Sequence, residues 1–148
     1  MRKFVTGSVV LVLVGLAPLH ASARPVDRAT VVDQRVPLCR ASGELRCAQS
    51  MVARYWYQRG SDQRRLSWVY ASREPVSKGR AYVARWSYRV PGGAWKASGW
   101  KRLTHVPRAR FAETGWGKGG RTGPAFPQGT QVCTEHKGIK ARLCLTLK

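Results

Sequence analysis

A strict alternation of apolar and polar side chains over residues 80–90 constrains the fold more than any other feature of this chain. The apolar members are Tyr82, Ala84, Trp86, Tyr88 and Val90, and the polar members between them are Arg85, Ser87 and Arg89. Successive side chains of a strand point to opposite faces of its sheet. The period of two therefore predicts a strand with one packed and one hydrated face, which is typical of antiparallel sheets.

Shorter patterns of the same kind predict further strands on both sides of this one. They cover residues 52–58, residues 66–71 (with Leu66, Trp68 and Tyr70 on one face) and residues 94–103, which follow a Pro-Gly-Gly turn. Residues 104–130 are rich in Gly and Pro and are predicted as a loop packed by its aromatic side chains or as a partly mobile segment. The fold class that follows is all-β, as a small antiparallel β-sandwich or partly open barrel.

The first 23 residues have the parts of a secretory signal peptide. Arg2 and Lys3 precede an apolar run over residues 4–19, and Ala-Ser-Ala at 21–23 forms a cleavage signal. The apolar run is shorter than the roughly 20 residues of a spanning helix, although an uncleaved membrane anchor is the alternative. We therefore expect a secreted, extracellular protein whose mature chain has no transmembrane segment.

The mature chain is expected to have two parts. Residues 24–38 lack aromatic residues and helix caps and are predicted to form an extended N-terminal arm, and residues 39–148 form the β domain. Four apolar side chains of the arm are candidate contacts to another secreted protein: Val31, Val32, Val36 and Leu38. An extended segment can join a partner through main-chain hydrogen bonds.

Four cysteines in an exported chain indicate disulfide bonds. Of the three possible connectivities, the spacing favours Cys39–Cys47 and Cys133–Cys144, each stapling a β-hairpin. A zinc site or a redox-active pair is the competing interpretation, but the chain lacks the C-x-x-C spacing of such sites. No metal or cofactor is therefore expected.

The C-terminal hairpin can be predicted in register. A two-residue turn at residues 138–139 places Cys133 opposite Cys144 and Glu135 opposite Arg142 on one face. The opposite face is apolar and includes Leu143, Leu145 and Leu147.

The formal net charge of +20, with 19 Arg and 8 Lys, suggests an anionic partner. Such a partner could be an anionic polymer or the cell envelope, with Arg85, Arg89, Lys101 and Arg102 as candidate contacts. A solvated basic face is the alternative for the pair Arg85 and Arg89. No motif for sequence-specific nucleic-acid recognition is present, although non-specific polyanion binding needs only charge.

The six Trp fall into two groups. Trp56, Trp68 and Trp86 lie on predicted strands and are expected in the core. Trp95, Trp100 and Trp116 lie near Gly and Lys, where they could form a platform for a sugar ring or anchor a protein interface. Covering a small core is the alternative for this second group.

The sequence offers few residues that could act in catalysis. A small secreted nuclease could use His105, Glu135 and His136, but the last two are neighbours on a predicted strand and point to opposite faces. Pairing of Glu135 with Arg142 on the hairpin explains that carboxylate better. With no nucleophile elbow, zinc-protease motif or phosphate loop, the chain is expected not to be an enzyme.

The organisation of the whole chain is similar to that of the small adaptor subunit of the secreted umbrella toxin particles of actinobacteria. The resemblance lies in the signal peptide, the arm at 24–38 and the compact β domain with Cys39/Cys47 and Cys133/Cys144. The excess of Arg over Lys also fits a GC-rich coding sequence. The resemblance implies a non-enzymatic bridge between a lectin-bearing subunit and a toxin scaffold, with the arm inserted into a partner cleft.

The leading functional hypothesis is therefore a secreted binding protein, an adaptor or subunit of an extracellular assembly such as a bacterial toxin complex. Two alternatives remain open, a cationic antibacterial or cell-envelope binder and a small secreted nuclease-type toxin.

Overall fold

A computed structural model of the protein describes residues 29–39 and 47–148. Every regular element in these two ranges is a β-strand. The strands are β1 Ala29–Cys39, β2 Cys47–Gln58, β3 Gln63–Arg73, β4 Val83–Arg89, β5 Lys96–Ala97, β6 Lys101–Arg102, β7 Thr104–His105, β8 Ala112–Gly117, β9 Ala125–Pro127, β10 Gln131–His136 and β11 Arg142–Thr146. The ranges include no helix of the length and apolarity needed to cross a membrane.

The strands form two antiparallel sheets in a sandwich-like arrangement. The first sheet has the order β1-β2-β3-β8-β7, with β9 also pairing with β3, and the second has the order β11-β10-β4-β5, with β6 also pairing with β4. This arrangement confirms the predicted all-β antiparallel class. The sheets do not close into a barrel.

Two clusters of buried side chains fill the space between the sheets. The larger cluster combines Met51, Ala53 and Tyr55 from β2 with Val132, Leu143, Leu145 and Leu147 from the C-terminal hairpin, together with Leu66, Val69 and Phe126. The smaller cluster contains Ala71, Tyr82, Ala84, Leu103 and Ala112. Trp116 packs against both clusters, so it belongs to the interior.

The described part of the predicted arm is a sheet edge. Residues 29–39 pair with β2 along their whole length, from Ala29 opposite Gln58 onward. Val32 and Val36 pack against the larger core cluster, while the side chains of Val31 and Leu38 are exposed. The predicted signal peptide, residues 24–28 and the side chains of Cys39 and Cys47, with their predicted disulfide, lie outside the described residues.

An irregularity in β3 reverses which side chains face the core. Tyr55 pairs with Leu66, whereas the preceding residue of β2 pairs with Trp68, so that Ser67 is an extra residue in the ladder. Such a bulge shifts the alternation by one. Leu66 is therefore buried but Trp68 is half-buried and Tyr70 exposed. The prediction that these three share one face is wrong.

The same alternation corrects the prediction that three strand Trp form the core. Trp86 packs against the larger cluster, as expected. Trp56 and Trp68 are half-buried, and Arg65 and Arg54 lie over their rings at 5.8 and 5.3 Å from the ring centroids. These two Trp lie on the outer face of the first sheet.

The region after β4 contains more strand than the sequence indicated. The predicted return strand over 94–103 consists of two short segments, β5 and β6, each pairing with β4. The segment predicted as a loop at 104–130 contains β7, β8 and β9. The glycines of this segment led to the prediction of a loop, but one of them lies within a strand. Gly115 of β8 lies under the Tyr70 ring, where a Cβ atom would come within 2.7 Å of a ring carbon. A strand glycine can mark such a close approach.

The C-terminal hairpin has the predicted register. Cys133 pairs with Cys144 and the two form a disulfide, and Glu135 pairs with Arg142. The three predicted leucines, Leu143, Leu145 and Leu147, are buried. The turn lies one residue earlier than predicted, because the Ile139 amide donates to the His136 carbonyl at 3.1 Å.

Candidate anion-binding face

The outer face of the second sheet brings together two arginines and two tryptophans that the sequence suggested as binding residues. β11, β10 and β4 lie side by side, and their registers place outward side chains in rows across the three strands. The rows are Arg142, Glu135 and Arg85; Cys144, Cys133 and Ser87; and Thr146, Gln131 and Arg89.

Glu135 holds two of the arginines in place. Its Oε2 atom lies 3.2 Å from Nη2 of Arg85, and its Oε1 atom lies 3.5 Å from Nη2 of Arg142. The Ser87 hydroxyl also donates to Oε1 at 3.5 Å. The carboxylate is largely covered, with 16% of its side chain exposed, against 32% and 39% for the two arginines. One acid thus organises two cations that remain accessible.

Two exposed Trp rings stack with the same arginines. The guanidinium of Arg85 lies 4.6 Å from the centroid of Trp100. Those of Arg89 and Arg142 lie 5.0 and 4.7 Å from Trp95. Contacts of this kind contribute about 0.5–1 kcal/mol each at exposed sites. They fix the direction of the guanidinium groups without neutralising their charge. We call these six residues the Arg–Trp face: Arg85, Arg89, Trp95, Trp100, Glu135 and Arg142.

The two Trp reach this face because the chain folds back along β4 after the Pro-Gly-Gly turn. Residues 96–97 pair with β4, and the Ser98 amide donates to the Trp86 carbonyl at 2.9 Å. The Ser98 hydroxyl accepts a second bond from the Trp86 amide at 3.2 Å. Ser87 and Cys133, in the middle row, are almost fully buried although they belong to the outer side of the sheet. The middle of the face is therefore covered, and its charged residues lie around it.

At one end of the face, Arg89 borders an open polar cleft of about 460 Å³. The Nη2 atom of Arg89 donates to Oε1 of Gln131 at 2.8 Å. Thr146 and the turn at residues 91–93 also line the cleft. The cleft gives an anionic group room to approach Arg89 beside the Trp95 ring.

Four residues predicted for two different functions thus meet at one place, namely Arg85, Arg89, Trp95 and Trp100. Lys101 and Trp116 do not join them: the Lys101 ammonium donates to the Gly115 carbonyl of the other sheet at 2.6 Å, and Trp116 is half-buried. Arg102 lines a different cavity. The arm residues lie on β1, in the first sheet.

Glu135 and Arg142 were identified from the sequence only as a hairpin ion pair. Their membership of the face depends on the pairing of β10 with β4, a contact between segments distant in sequence. The alternation in β4 and the register of the hairpin predict which side chains of each strand point outward. They do not predict that β4 and β10 are neighbours in the sheet.

The face has the chemistry of an anion-binding surface. Guanidinium groups match carboxylate, sulfate and phosphate oxygens in bidentate geometry. The exposed Trp rings offer flat apolar area beside those charges. His136, next to Glu135 in sequence, is buried and points to the opposite side of β10.

Within the two described ranges, no group of three or more His, Cys, Asp or Glu residues could hold a metal ion. Comparisons with protein-family models, with curated proteins and with solved structures each return no significant match.

Proposed function

We propose that this chain is a secreted, non-catalytic binding protein that holds an acidic polymer, such as an anionic polysaccharide of a cell envelope, on the Arg–Trp face. The observation that carries the proposal is the stacking of Arg85, Arg89 and Arg142 on two exposed Trp rings, with one carboxylate, that of Glu135, paired to two of the three arginines. Three guanidinium groups against one carboxylate leave this surface cationic.

The spacing of the charges favours a polymer over a single small anion. The guanidinium groups of Arg142 and Arg85 lie close together on the two oxygens of Glu135, whereas the backbone position of Arg89 is about 13 Å from that of Arg85 along the strand. Arg89 lies further along β4, beside the open cleft. Successive acidic groups of one chain could contact these cations while its rings rest on Trp95 or Trp100.

The proposal is tested by binding to dextran sulfate, with uncharged dextran as the matched neutral polymer. We expect retention on the sulfated polymer alone and a steep fall in affinity with salt. Trp95→Ala should weaken binding by about ten-fold, which corresponds to about 1.4 kcal/mol. Tyr70→Ala is the control, because Tyr70 is equally exposed on the other sheet. Equal retention on neutral dextran, or equal losses in both variants, would contradict the proposal.

A second candidate function, an adaptor bound to another secreted protein, is favoured by the position of β1. In the sheet as described, β1 pairs with β2 on one side only and forms an edge of 11 residues. Edge strands offer backbone groups for pairing with another chain. The outward Val31, 52% exposed, adds an apolar contact at this edge. This is also the segment that the resemblance to the toxin adaptor assigns to a partner.

This second candidate is tested by affinity purification from the native culture medium with mass spectrometry at low and high salt. Stoichiometric protein partners that survive high salt and disappear with Val31→Lys, but not with Tyr70→Lys, would support the adaptor function. Recovery of polymer alone, lost at high salt, would reject it and leave the first candidate.

The nuclease alternative gains no support from the geometry. His105 lies on β7 of the first sheet, whereas Glu135 lies on the outer face of the second. His136 is enclosed between the sheets. These three groups do not converge on one reacting atom.

A further inference from the structure

We propose that the protein has a second, separate site that binds a small phosphomonoester with an apolar group. The site is a cavity of about 670 Å³ formed around the residues that precede β4 and those of the β6–β8 region. A cavity of this size is within the range of about 300–1,000 Å³ found for small-molecule sites. The proposed ligand is distinct from the polymer of the Arg–Trp face.

The floor of the cavity is apolar and well ordered by packing. Tyr82, Leu103 and Ala112 line it, and all three belong to the smaller core cluster. The Leu103 amide donates to the Tyr82 carbonyl at 2.9 Å, which fixes these two residues to each other. An apolar group placed here would contact side chains that folding already holds in position.

The tyrosine at this floor is held by contacts on several sides. Its hydroxyl accepts a hydrogen bond from the Ser77 amide at 3.1 Å. The guanidinium groups of Arg73 and Arg80 lie 4.6 and 5.6 Å from its ring centroid. The hydrogen bonds from Ser77, and secondarily the nearby positive charges, lower the pKa of Tyr82. The positive field that lowers this pKa would also act on a bound anion.

All the charged side chains at the rim of the cavity are basic. The rim consists of Lys78, Arg80, Arg102 and Arg110, and His105 also contributes to the wall. No Asp or Glu lines the cavity. Among the described residues, these four cations form no ion pair. A cavity with several uncompensated cations around an apolar floor is complementary to a compact, multiply charged anion attached to an apolar group.

A phosphomonoester meets these requirements better than a carboxylate. It carries close to two negative charges at neutral pH and presents three acceptor oxygens. Several guanidinium and ammonium groups can therefore bind one head group. The apolar substituent accounts for the floor, which inorganic phosphate alone would leave empty.

Isothermal titration calorimetry with phenyl phosphate, inorganic phosphate and phenol tests this site. We expect phenyl phosphate to bind about ten-fold or more tightly than either fragment, because only the ester uses both floor and rim. The double variant Arg102→Gln/Arg110→Gln should lose about ten-fold or more of that affinity. Both residues are exposed, so folding should be preserved, as judged by an unchanged unfolding midpoint.

The double variant Arg85→Gln/Arg89→Gln is the matched control, since it removes the same charge from the Arg–Trp face. It should bind phenyl phosphate as the wild type does, while losing dextran sulfate. Equal affinity for phenyl phosphate and inorganic phosphate would overturn the proposed site, and so would equal losses in the two double variants. Failure of this site would leave the proposal for the Arg–Trp face untouched, because that proposal is judged separately by dextran sulfate binding of the Arg85→Gln/Arg89→Gln variant.

Discussion

His136 shows how strongly one position can couple this fold to pH. The side chain is 2% exposed, on the inner side of β10. Burial is the main cause that lowers its pKa to about 4, and the positive charge of Arg73 contributes. In the unfolded chain the same imidazole titrates near its ordinary value, about 6.5. The folded protein therefore keeps this group neutral in a range where the unfolded chain binds a proton.

Stability should consequently fall on acidification between about pH 6.5 and pH 4. The unfolded state binds more protons throughout this window, so the free energy of unfolding decreases as pH falls and levels off below pH 4. From the two pKa values, the loss between pH 7.5 and 4.5 is on the order of 2–3 kcal/mol. Urea unfolding at the two pH values measures it.

His136→Gln should remove most of this pH dependence, whatever its effect on stability at neutral pH. His105→Gln is the control, because His105 is exposed and should leave the dependence intact. The carboxylate of Asp33 does not interfere, since its hydrogen bond to Arg54 lowers its pKa and confines its effect to more acidic solutions. Equal acid sensitivity of wild type and His136→Gln would show that another group is responsible.

Single residues also show what the sequence could specify at the candidate site. The outward direction of Arg85 and Arg89 follows from alternation alone and was predicted. Their stacking on Trp100 and Trp95 was not, because it depends on how the chain folds back after the turn. The capacity of these side chains to bind anions was therefore predictable from residue type, but their contacts with one another in the folded chain were not.

Among the strands, those with local partners were the easiest to predict. The C-terminal hairpin follows from spacing, because a short turn fixes its register. β8 was missed, since its partner β3 is distant in sequence and its glycines resemble those of a loop. The bulge at Ser67 was not predicted either, because it is defined by the pairing of β3 with β2 and the sequence of β3 alone does not indicate an extra residue.

Gly117 ends β8 and tests the account of this region. Its φ of 97° is strained for other residues, and a Cβ atom there would collide with the Ser67 carbonyl oxygen at the bulge. Gly117→Ala should therefore reduce the free energy of unfolding by more than about 1 kcal/mol. Gly120→Ala is the control for backbone strain alone, because Gly120 has a φ of 66° but open space around it. Equal effects in urea unfolding would mean that the contact with Ser67 does not matter.

Across the whole molecule, arginine and aromatic side chains are combined repeatedly. Arg54 and Arg65 stack on Trp68 and Trp56 outside the first sheet, as the Arg–Trp face does outside the second. Stacking lets a chain with a net charge of +20 hold many guanidinium groups on a small surface while keeping them accessible. The high charge is thus part of how both outer faces are built.

We propose that anion binding belongs to the Arg–Trp face and not to the overall charge. The most direct test compares two double variants that remove equal charge, Arg85→Gln/Arg89→Gln and Arg59→Gln/Arg121→Gln, in binding to dextran sulfate across a salt series. Arg59 and Arg121 are exposed and lie outside the face. We predict that the first variant loses about ten-fold or more in affinity and has a shallower salt dependence, while the second stays within about two-fold of wild type. Equal losses in both would show that net charge alone binds the polymer and would contradict the account.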